Sequence, residues 1–282
     1  MKVRICVYVN PLWGVPFAEA LEHSLIELGI TNKVDICLSD RFQGGTALYS
    51  DVTYDMTFFV CGRKLVSAKG WDDKIKILLQ VEQLTTCRAN GEYIETKGFD
   101  YIFEWFKENT KLKNTKNVIY CPFGYSPVFE RPKKGLKKDI DVFSWGVMQP
   151  GRIKFLEYLK DNGINVFYSK KTISDADLYD YIERSKMSIW IKHKKAPDYS
   201  QIHCIPAAAQ KEFYMIEKSN NYDKFTPGED FMVVADRVDA LEKIRYYLKN
   251  EDERNELAEK YYKSVVKKTY TSSVENALRR IL

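Results

Sequence analysis

A loop that contains two glycines joins a strand-like segment to a helix-like segment near the middle of the sequence. The loop covers residues 145–151, with Gly146 and Gly151 near its two ends, and Arg152 begins the helical pattern. A buried strand that passes through a glycine loop into a helix brings backbone N–H groups and the positive end of a helix dipole together. This arrangement favours an anion, usually a phosphate, and the guanidinium of Arg152 suits phosphate oxygens. The alternative is an ordinary β–α turn with a solvated arginine.

A second candidate for chemistry is Glu82, which directly follows the strand-like segment 74–81 (KIKILLQV). Ligands of open α/β sheets bind at the carboxyl ends of the strands. A carboxylate at such a position could act as a base towards a hydroxyl group. The alternative for Glu82 is a helix cap or a solvated side chain.

Apolar runs alternate with amphipathic stretches along the 282 residues, and this alternation predicts an α/β fold with parallel strands. The first half opens with a β-α-β unit, whose crossover we expect to be right-handed. The loop after its first strand lacks GxGxxG, so a dinucleotide site there has little support. The first half is predicted to have strands at 2–9, 34–38, 55–61, 74–81 and 118–121, a loop at 10–16 and a helix at 17–28. The second half is predicted to have strands at 141–144, 164–168, 187–191, 213–216 and 231–234, and helices at 153–161, 175–185, 202–211, 238–248 and 251–267.

A polar segment at 129–139 (FERPKKGLKKD) separates the two halves. Its proline, glycine and four lysines are typical of a domain boundary. We therefore predict two Rossmann-like domains, residues 1–132 and 139–282, that face a central cleft in which ligands bind. Lysines in such a segment are usually solvated, and the alternative is that they contact the backbone of a nucleic acid. These lysines are Lys133, Lys134, Lys137 and Lys138.

The composition limits the class of protein. A hydrophobic content of 45% suffices for a packed core, and a net charge of +5 permits an anionic partner without requiring one. The six cysteines include no CxxC pair, which predicts buried thiols of a reducing compartment rather than zinc ligands or disulfides. The sequence shows no signal-peptide pattern and no apolar run of membrane-spanning length, so we expect a soluble, cytoplasmic protein.

The order of features from about residue 118 to 266 resembles that of GT-B glycosyltransferases, in particular the spore-maturation CgeB-like, family-4-like group. The resemblance rests on an ordered set of segments and is weak before residue 118. There is also a fainter similarity to the phage DNA β-glucosyltransferases. The matching segments are VIYCPFGYSPVFERP at 118–132, DIDVFSWGVMQPGRIKFLEYLKDNGINVFYS at 139–169, DLYDYIERSKMSIWI at 177–191 and the stretch 212–265.

The resemblance implies a GT-B fold and a nucleoside-diphosphate sugar, UDP-glucose in particular, bound mainly by the second domain with no other cofactor. It places Arg152 at the diphosphate and Tyr222 against the base of the nucleotide. Lys192 and Lys195 fall on the loop after the strand at 187–191, called the donor loop because it faces the sugar donor in this family. The alternatives are that the two lysines are solvated and that Tyr222 is a core residue. The donor-binding candidates are Gly146, Gly151, Arg152, Lys192, Lys195, His203, Glu217 and Tyr222. Glu82, identified above from its place after a strand, is the catalytic candidate, and no metal ligand is expected.

The sequence departs from the family pattern at one point. The helix after the donor loop should begin with an arginine and carry, three residues on, a glutamate that holds the nucleotide ribose. Here His203 and Pro206 occupy these positions. A proline side chain cannot accept a hydrogen bond from ribose, so Glu217 or a neighbour takes that role, the donor is unusual, or the activity is lost.

Two functions from different classes follow. The first is a metal-independent or weakly metal-dependent hexosyltransferase whose acceptor is a hydroxymethylated base in phage DNA or, alternatively, a glycan, lipid or small molecule. If this enzyme inverts configuration, Glu82 is the expected base, and a viral source would place it in the host cytoplasm. The second is a catalytically degenerate GT-B scaffold that binds a nucleotide or nucleic acid, which Pro206 favours. A periplasmic-type binding protein is a third reading, which the missing signal peptide opposes.

Overall fold

The computed structural model describes residues 1–8, 11–38, 52–61, 68, 71–81, 98–111, 117–171, 173–192 and 201–282. The chain divides into two compact units. Unit 1 contains Met1–Val128 and Tyr270–Leu282, and unit 2 contains Phe129–Thr269.

The described part of unit 1 is built on a six-stranded parallel sheet in the order β2-β1-β3-β4-β5-β6. The strand segments are almost continuously apolar, as expected for a parallel sheet that is covered on both faces. The strands are β1 Val3–Val7, β2 Val34–Leu38, β3 Met56–Cys61, β4 Ile75–Gln80, β5 Tyr101–Glu104 and β6 Val118–Tyr120, with single 3-10 turns at Lys107–Lys111 and Pro127–Phe129.

Helix α1, Pro11–Glu27, begins earlier than the sequence predicts. The predicted loop at 10–16 is wrong, because most of this segment is the first part of the helix. Proline is favoured in the first helical turn, where the missing N–H has no partner in any case, and Pro11 occupies that position. Pro16 lies inside the helix and removes one hydrogen bond, which the long buried face of the helix outweighs.

The C-terminal helix, Tyr270–Leu278, packs in unit 1, whereas the sequence placed it with residues 139–282. Tyr270 is fully buried, and its ring lies 4.8 Å from that of Phe123 and 6.5 Å from that of Trp105. The Tyr270 backbone N–H donates to the Tyr125 carbonyl at 2.7 Å. The aromatic side chains that cover this helix thus come from unit 1, to which local sequence gives no pointer.

The described part of unit 2 contains a five-stranded parallel sheet in the order β11-β10-β9-β7-β8, which confirms the predicted α/β class. The chain leaves β7 towards β8 on one side and returns to β9 on the other. Such a reversal opens a crevice between the carboxyl ends of β7 and β9, where ligands of doubly wound sheets bind. The strands are β7 Ile140–Ser144, β8 Val166–Tyr168, β9 Ser185–Trp190, β10 Phe213–Glu217 and β11 Met232–Val234. The helices are α2 Pro150–Asp161, α3 Asp175–Arg184, α4 Gln201–Ala209, α5 Arg237–Lys249 and α6 Glu251–Val265, followed in unit 1 by α7 Tyr270–Leu278.

The basic segment that the sequence predicted as a solvated linker is fixed to helix α3 of unit 2. The Glu183 carboxylate accepts hydrogen bonds from the backbone N–H groups of Lys134, Gly135 and Leu136 at 2.9, 2.7 and 3.0 Å. Partial burial opposes ionisation of Glu183, but these three donors together hold its pKa below the usual value. A side chain distant in sequence therefore satisfies the backbone of this segment, while its four lysines are exposed, in agreement with the predicted solvation.

Two of the four lysines in this segment are also engaged. The Lys134 ammonium lies 2.6 Å from the Asp180 carboxylate, and the Lys138 ammonium donates to the Ser185 carbonyl. Burial lowers the pKa of Lys138. These contacts engage the ammonium groups of Lys134 and Lys138 within unit 2, although both residues, like Lys133 and Lys137, are exposed to solvent.

A buried carboxyl group in unit 2 predicts a pH dependence of stability. Glu212 is 5% exposed, and burial raises its pKa to about 8, although Lys138, Lys133 and Arg254 and a hydrogen bond from Ser188 at 2.7 Å oppose the shift. The folded protein thus keeps a proton that the unfolded chain loses above about pH 4.5. The free energy of unfolding should therefore fall as pH rises towards 8, by up to about 1.4 kcal/mol per pH unit.

Urea unfolding between pH 5 and 8.5 measures this effect. The Glu212→Gln variant should lose the decline and be relatively more stable than the wild type at pH 8. The exposed Glu256→Gln serves as the control and should keep the wild-type profile. A Glu212→Gln profile parallel to that of the wild type would show that Glu212 is ionised in the folded protein at neutral pH.

Candidate functional site

The crevice between β7 and β9 contains the loop that the sequence singled out. Trp145 and Gly146 directly follow β7, and Ile191 and Lys192 directly follow β9. Because both strands end at the same edge of a parallel sheet, the two loops begin side by side. Arg152, in the first turn of α2, connects them.

The Arg152 guanidinium is held by main-chain carbonyls from both loops. Its Nε donates to the Ile191 carbonyl at 2.5 Å, and its Nη1 donates to the Val147 carbonyl at 2.9 Å. The guanidinium carbon lies 5.6 Å from the centre of the Trp190 ring, within range of a cation–π interaction. Arg152 is therefore fixed in one position, and the alternative of a solvated arginine is excluded by its 8% exposure.

The charge of Arg152 lacks the compensation that the other buried arginines have. Arg4 and Arg254 are 3% and 2% exposed, and they form salt bridges with Asp73 at 2.6 Å and with Glu251 at 2.9 Å. Among the described residues, no carboxylate oxygen lies within 4 Å of the Arg152 guanidinium. Burial lowers the pKa of Arg152 to about 10, so the group remains a cation at neutral pH. A buried cation bound by carbonyls favours an anionic ligand.

The N-terminus of α2 offers further donors next to this cation. The N-cap residue Gln149 makes no side-chain capping bond, and Pro150 supplies no N–H. A Cβ atom at Gly151 would meet nothing within 4 Å, so the first turn is open to solvent on the side of this residue. The uncapped N–H groups of this turn and the positive end of the helix dipole therefore point towards a space that an anion can occupy.

Gly146 is required by its backbone angle and by its neighbour His203. Its φ is +99°, and a Cβ at this position would lie 2.8 Å from Cε1 of His203 and 3.5 Å from Nη1 of Arg152. No Cβ tolerates a ring atom at 2.8 Å. The glycine predicted as part of an anion loop thus also allows the imidazole to sit beside the arginine.

The His203 imidazole lies on α4 between two tryptophans. Its ring centre is 6.2 Å from that of Trp145 and 6.1 Å from that of Trp190. Burial, and then the charge of Arg152, lowers the pKa of His203 to about 3, so the ring is neutral at physiological pH. Its Nδ1 has no hydrogen-bond partner within the described part of the protein. The neutral imidazole of His203 therefore adds no charge to the crevice, and next to it the positive charge is that of Arg152.

Glu217 ends β10 and contacts the start of the loop after β9. Its Oε2 accepts a hydrogen bond from the Lys192 backbone N–H at 3.1 Å, and burial raises the pKa of this carboxyl group. The Lys192 ammonium donates to the Lys218 carbonyl at 2.8 Å. The structure therefore brings Glu217 and Lys192 together at the carboxyl edge of the sheet, as parallel strands require.

Tyr222 stabilises the turn that follows β10. Its hydroxyl accepts a hydrogen bond from the Ser219 backbone N–H at 3.0 Å, and its ring lies 5.6 Å from that of Phe231. These contacts belong to local packing, the alternative that the sequence left open for this residue. Contact of Tyr222 with a base remains a prediction.

Glu82 and Lys195 fall outside the described residues. Pro206 is buried inside α4, in agreement with the predicted helix.

Within the described ranges, no group of three or more His, Cys, Asp and Glu side chains is placed to hold a metal ion. No described helix combines the length and the apolar character needed to cross a bilayer.

Sequence reasoning missed the contribution of two neighbours of the crevice. The Ile191 carbonyl, which fixes Arg152, carries no side-chain signal, so no sequence pattern could reveal it. Gln201 is 1% exposed, and its Nε2 donates to the Asp223 carboxylate at 2.9 Å, which links the start of α4 to the segment after β10. A polar side chain at the start of a predicted helix was the only available signal for Gln201.

Comparisons with solved structures identify the fold. The DNA-modifying enzyme β-glucosyltransferase, solved with and without uridine diphosphoglucose, superposes with a TM-score of 0.61 at 13% identity, over 99% of this chain and 100% of that one. The T4 phage enzyme BGT with its UDP-glucose substrate gives a TM-score of 0.58 at 14% identity, over 98% and 99% of the two chains. TarM gives 0.56 at 12% identity over 79% of this chain, which spans 54% of TarM. The fold is therefore GT-B.

These results confirm the resemblance to GT-B glycosyltransferases and to phage DNA β-glucosyltransferases that the order of sequence features predicted. A sequence search among curated proteins finds no match. The family model described as "Glycosyl transferase-like" matches residues 131–279, which is more than half of the chain. The protein is therefore a member of the glycosyl transferase-like family.

Proposed function

We propose that this protein transfers a sugar from a nucleoside-diphosphate sugar, UDP-glucose in particular, to a hydroxyl group of an acceptor. The observation that carries the proposal is the buried guanidinium of Arg152, which has carbonyl partners but no carboxylate among the described residues. Arg152 lies at the crevice between β7 and β9, beside the uncapped N-terminus of α2, and this position suits a diphosphate.

In this mechanism the protein stabilises the negative charge that develops on the diphosphate as the glycosidic bond breaks. Arg152 and the first turn of α2 are fixed before the reaction, so they need no reorganisation in the transition state. Lys192 and Lys195 are proposed to add positive charge to the donor site, and His203 is a neutral donor next to Arg152. This arrangement permits transfer without a metal ion, because fixed cationic groups neutralise the leaving group.

Glu217 is the proposed ligand of the ribose hydroxyls, which Pro206 cannot bind. Oε2 of Glu217 accepts a hydrogen bond from the Lys192 N–H. Oε1 accepts none from the described part of the chain, so it is available to a ribose hydroxyl. Tyr222 is the proposed contact of the base. Glu82, at the carboxyl end of β4 in sequence, is the proposed base that takes the proton of the acceptor hydroxyl if the configuration is inverted.

A hydroxymethylated base in DNA is the proposed acceptor, and a glycan or a small molecule is the alternative. The net charge of +5 and the likeness to a DNA-modifying β-glucosyltransferase support DNA. Lys134 and Lys138 do not, because both are engaged within unit 2. An affinity for duplex DNA that falls steeply with salt would favour DNA as the acceptor.

A degenerate scaffold that binds a nucleotide without turnover is the second candidate. The burial of Pro206 in α4, at the position where the family places a ribose-binding glutamate, favours it. Incubation with UDP-glucose distinguishes the two candidates. Slow release of glucose or transfer to an acceptor supports the enzyme, whereas UDP binding with no turnover supports the scaffold.

Substitution of Gly151 tests the location of the diphosphate. Because open space surrounds its Cα, Gly151→Ala should leave the stability of the free protein within about 0.5 kcal/mol of wild type. It should weaken UDP binding by roughly tenfold, since the added methyl group enters the space proposed for phosphate. Isothermal titration calorimetry with UDP, GDP and UDP-glucose measures the affinity, and urea unfolding measures the stability.

The exposed Lys154→Ala, one turn further along α2, is the matched control and should bind UDP like the wild type. If Gly151→Ala binds UDP with unchanged affinity, the diphosphate does not approach the first turn of α2. If none of the three ligands binds the wild-type protein, the glycosyltransferase proposal fails.

A further inference from the structure

Two cysteines lie side by side on neighbouring strands of the sheet in unit 1. Cys6 of β1 and Cys37 of β2 are direct partners in the parallel register. Paired residues on parallel strands project from the same face, with Cα atoms about 4.8 Å apart, a separation within the range that a disulfide bridges. The sequence predicted isolated thiols, because a separation of 31 positions gives no indication of strand register.

The two thiols occupy different environments. Cys6 is 3% exposed and belongs to an apolar cluster with Phe59 and Trp71, whereas Cys37 is partly exposed on β2, the edge strand of the sheet. The direct pairing of the two residues puts their sulfur atoms next to each other, so that the buried Cys6 thiol can donate a hydrogen bond to Cys37. Cys37 can therefore be reached from solvent, and Cys6 stands directly behind it.

The same contact changes the acidity of the two groups. The hydrogen bond from Cys6 lowers the pKa of Cys37 to about 7, with support from the charge of Arg4 and against the effects of burial and Asp35. The hydrogen bond and burial raise the pKa of Cys6. By contrast, burial raises the pKa of Cys204 well above its usual value. A partly exposed thiolate with a second thiol in contact is the arrangement found in reversible redox sites.

We propose that Cys37 and Cys6 form a reversible oxidation site in which Cys37 is the nucleophile and Cys6 is the resolving thiol. This site is independent of the proposed sugar transfer. The oxidant is a peroxide, and the reductant that restores the site is a dithiol.

In the first step the Cys37 thiolate attacks one oxygen of hydrogen peroxide. The S–O bond forms, the O–O bond breaks, and the departing hydroxide takes a proton to become water, so that sulfur is oxidised to a sulfenic acid. In the second step the Cys6 sulfur attacks the Cys37 sulfur, the S–O bond breaks, and the departing hydroxide takes the Cys6 proton. Two thiols and one peroxide thus give one disulfide and two waters.

Peptide mapping of the full chain tests the proposal. The protein is treated with hydrogen peroxide, alkylated with iodoacetamide and digested without reduction. We expect a linked peptide pair containing Cys6 and Cys37, lighter by two hydrogens than the sum of the separate peptides, which disappears on treatment with dithiothreitol. Accumulation of Cys37 sulfinic acid while Cys6 remains open to alkylation would overturn the proposal, as would the absence of any linked peptide.

The rate of alkylation of Cys37 gives an independent readout. In the wild type, the rate should rise with pH and reach half its maximum near pH 7. Cys6→Ala should slow the reaction of Cys37 at pH 7 by roughly fivefold. Without Cys6 the pKa of Cys37 rises, and the smaller fraction of Cys37 thiolate outweighs the greater nucleophilicity of that thiolate. Cys204→Ala is the control and should leave the rate unchanged. If Cys6→Ala fails to fold, the wild-type profile decides alone, and a midpoint in the ordinary thiol range near pH 9 contradicts the proposal.

Discussion

Replacement of Arg152 by alanine should weaken UDP binding by roughly 10- to 100-fold, because hydrogen bonds to a charged group contribute about 1.5–3 kcal/mol. The guanidinium is fixed by the Ile191 and Val147 carbonyls, so its position is set before a ligand binds. Arg152→Lys keeps the charge but loses the planar fork, and its affinity should lie between those of wild type and alanine. Calorimetry or thermal shift with UDP measures these differences.

The stability of the free protein separates a binding arginine from a structural one. Arg152→Ala removes a buried charge without leaving a carboxylate behind, so the cost should be about 1–2 kcal/mol from the lost carbonyl contacts. Arg4→Ala, in contrast, leaves Asp73 buried and should cost about 3–5 kcal/mol. An Arg152→Ala protein that binds UDP normally would show that the anion site is elsewhere.

A matched control for the binding experiment is Arg184→Ala in the same unit. Arg184 is a partly exposed residue that forms a salt bridge with Asp139 at 2.6 Å. Its removal changes the net charge by the same amount as removal of Arg152. Because exposed pairs contribute little, UDP affinity and stability should both stay close to wild type. A similar loss of affinity in both variants would indicate a general effect of charge.

The substitution Gly146→Ala should destabilise the protein by about 3 kcal/mol or more. A positive φ costs a residue with a Cβ about 1–2 kcal/mol, and the new methyl group would lie 2.8 Å from the His203 ring. The imidazole also packs near Trp145 and Trp190, with ring centres 6.2 and 6.1 Å away, so a shift of this ring would disturb that packing. Urea unfolding at neutral pH measures the loss.

A double-mutant cycle separates the two contributions. His203→Ala removes the imidazole, so Gly146→Ala should cost less in that background, while the cost of the positive φ persists. A loss of equal size in both backgrounds would show that the imidazole contact is unimportant. Gly151→Ala is a useful comparison, because its Cβ would meet nothing within 4 Å and its φ is not positive.

The sequence by itself determined the order of the elements and one central residue of the site. Alternating apolar runs marked the strands of both parallel sheets, because burial on both faces requires continuous apolar segments. The loop between Gly146 and Gly151, followed by Arg152, was recognisable for a similar reason, since a strand–loop–helix connection depends on residues adjacent in sequence. Local patterns also identified α4 despite Pro206.

Only the tertiary structure decided which distant groups meet. The Ile191 carbonyl that fixes Arg152 is 39 positions away in sequence, and the imidazole that requires Gly146 comes from α4, the third helix after it. The tertiary structure also placed Tyr270 in unit 1 and Cys6 beside Cys37. Periodicity reports which face of an element is buried, but strand order and register, which decide what covers that face, arise from contacts between segments remote in sequence.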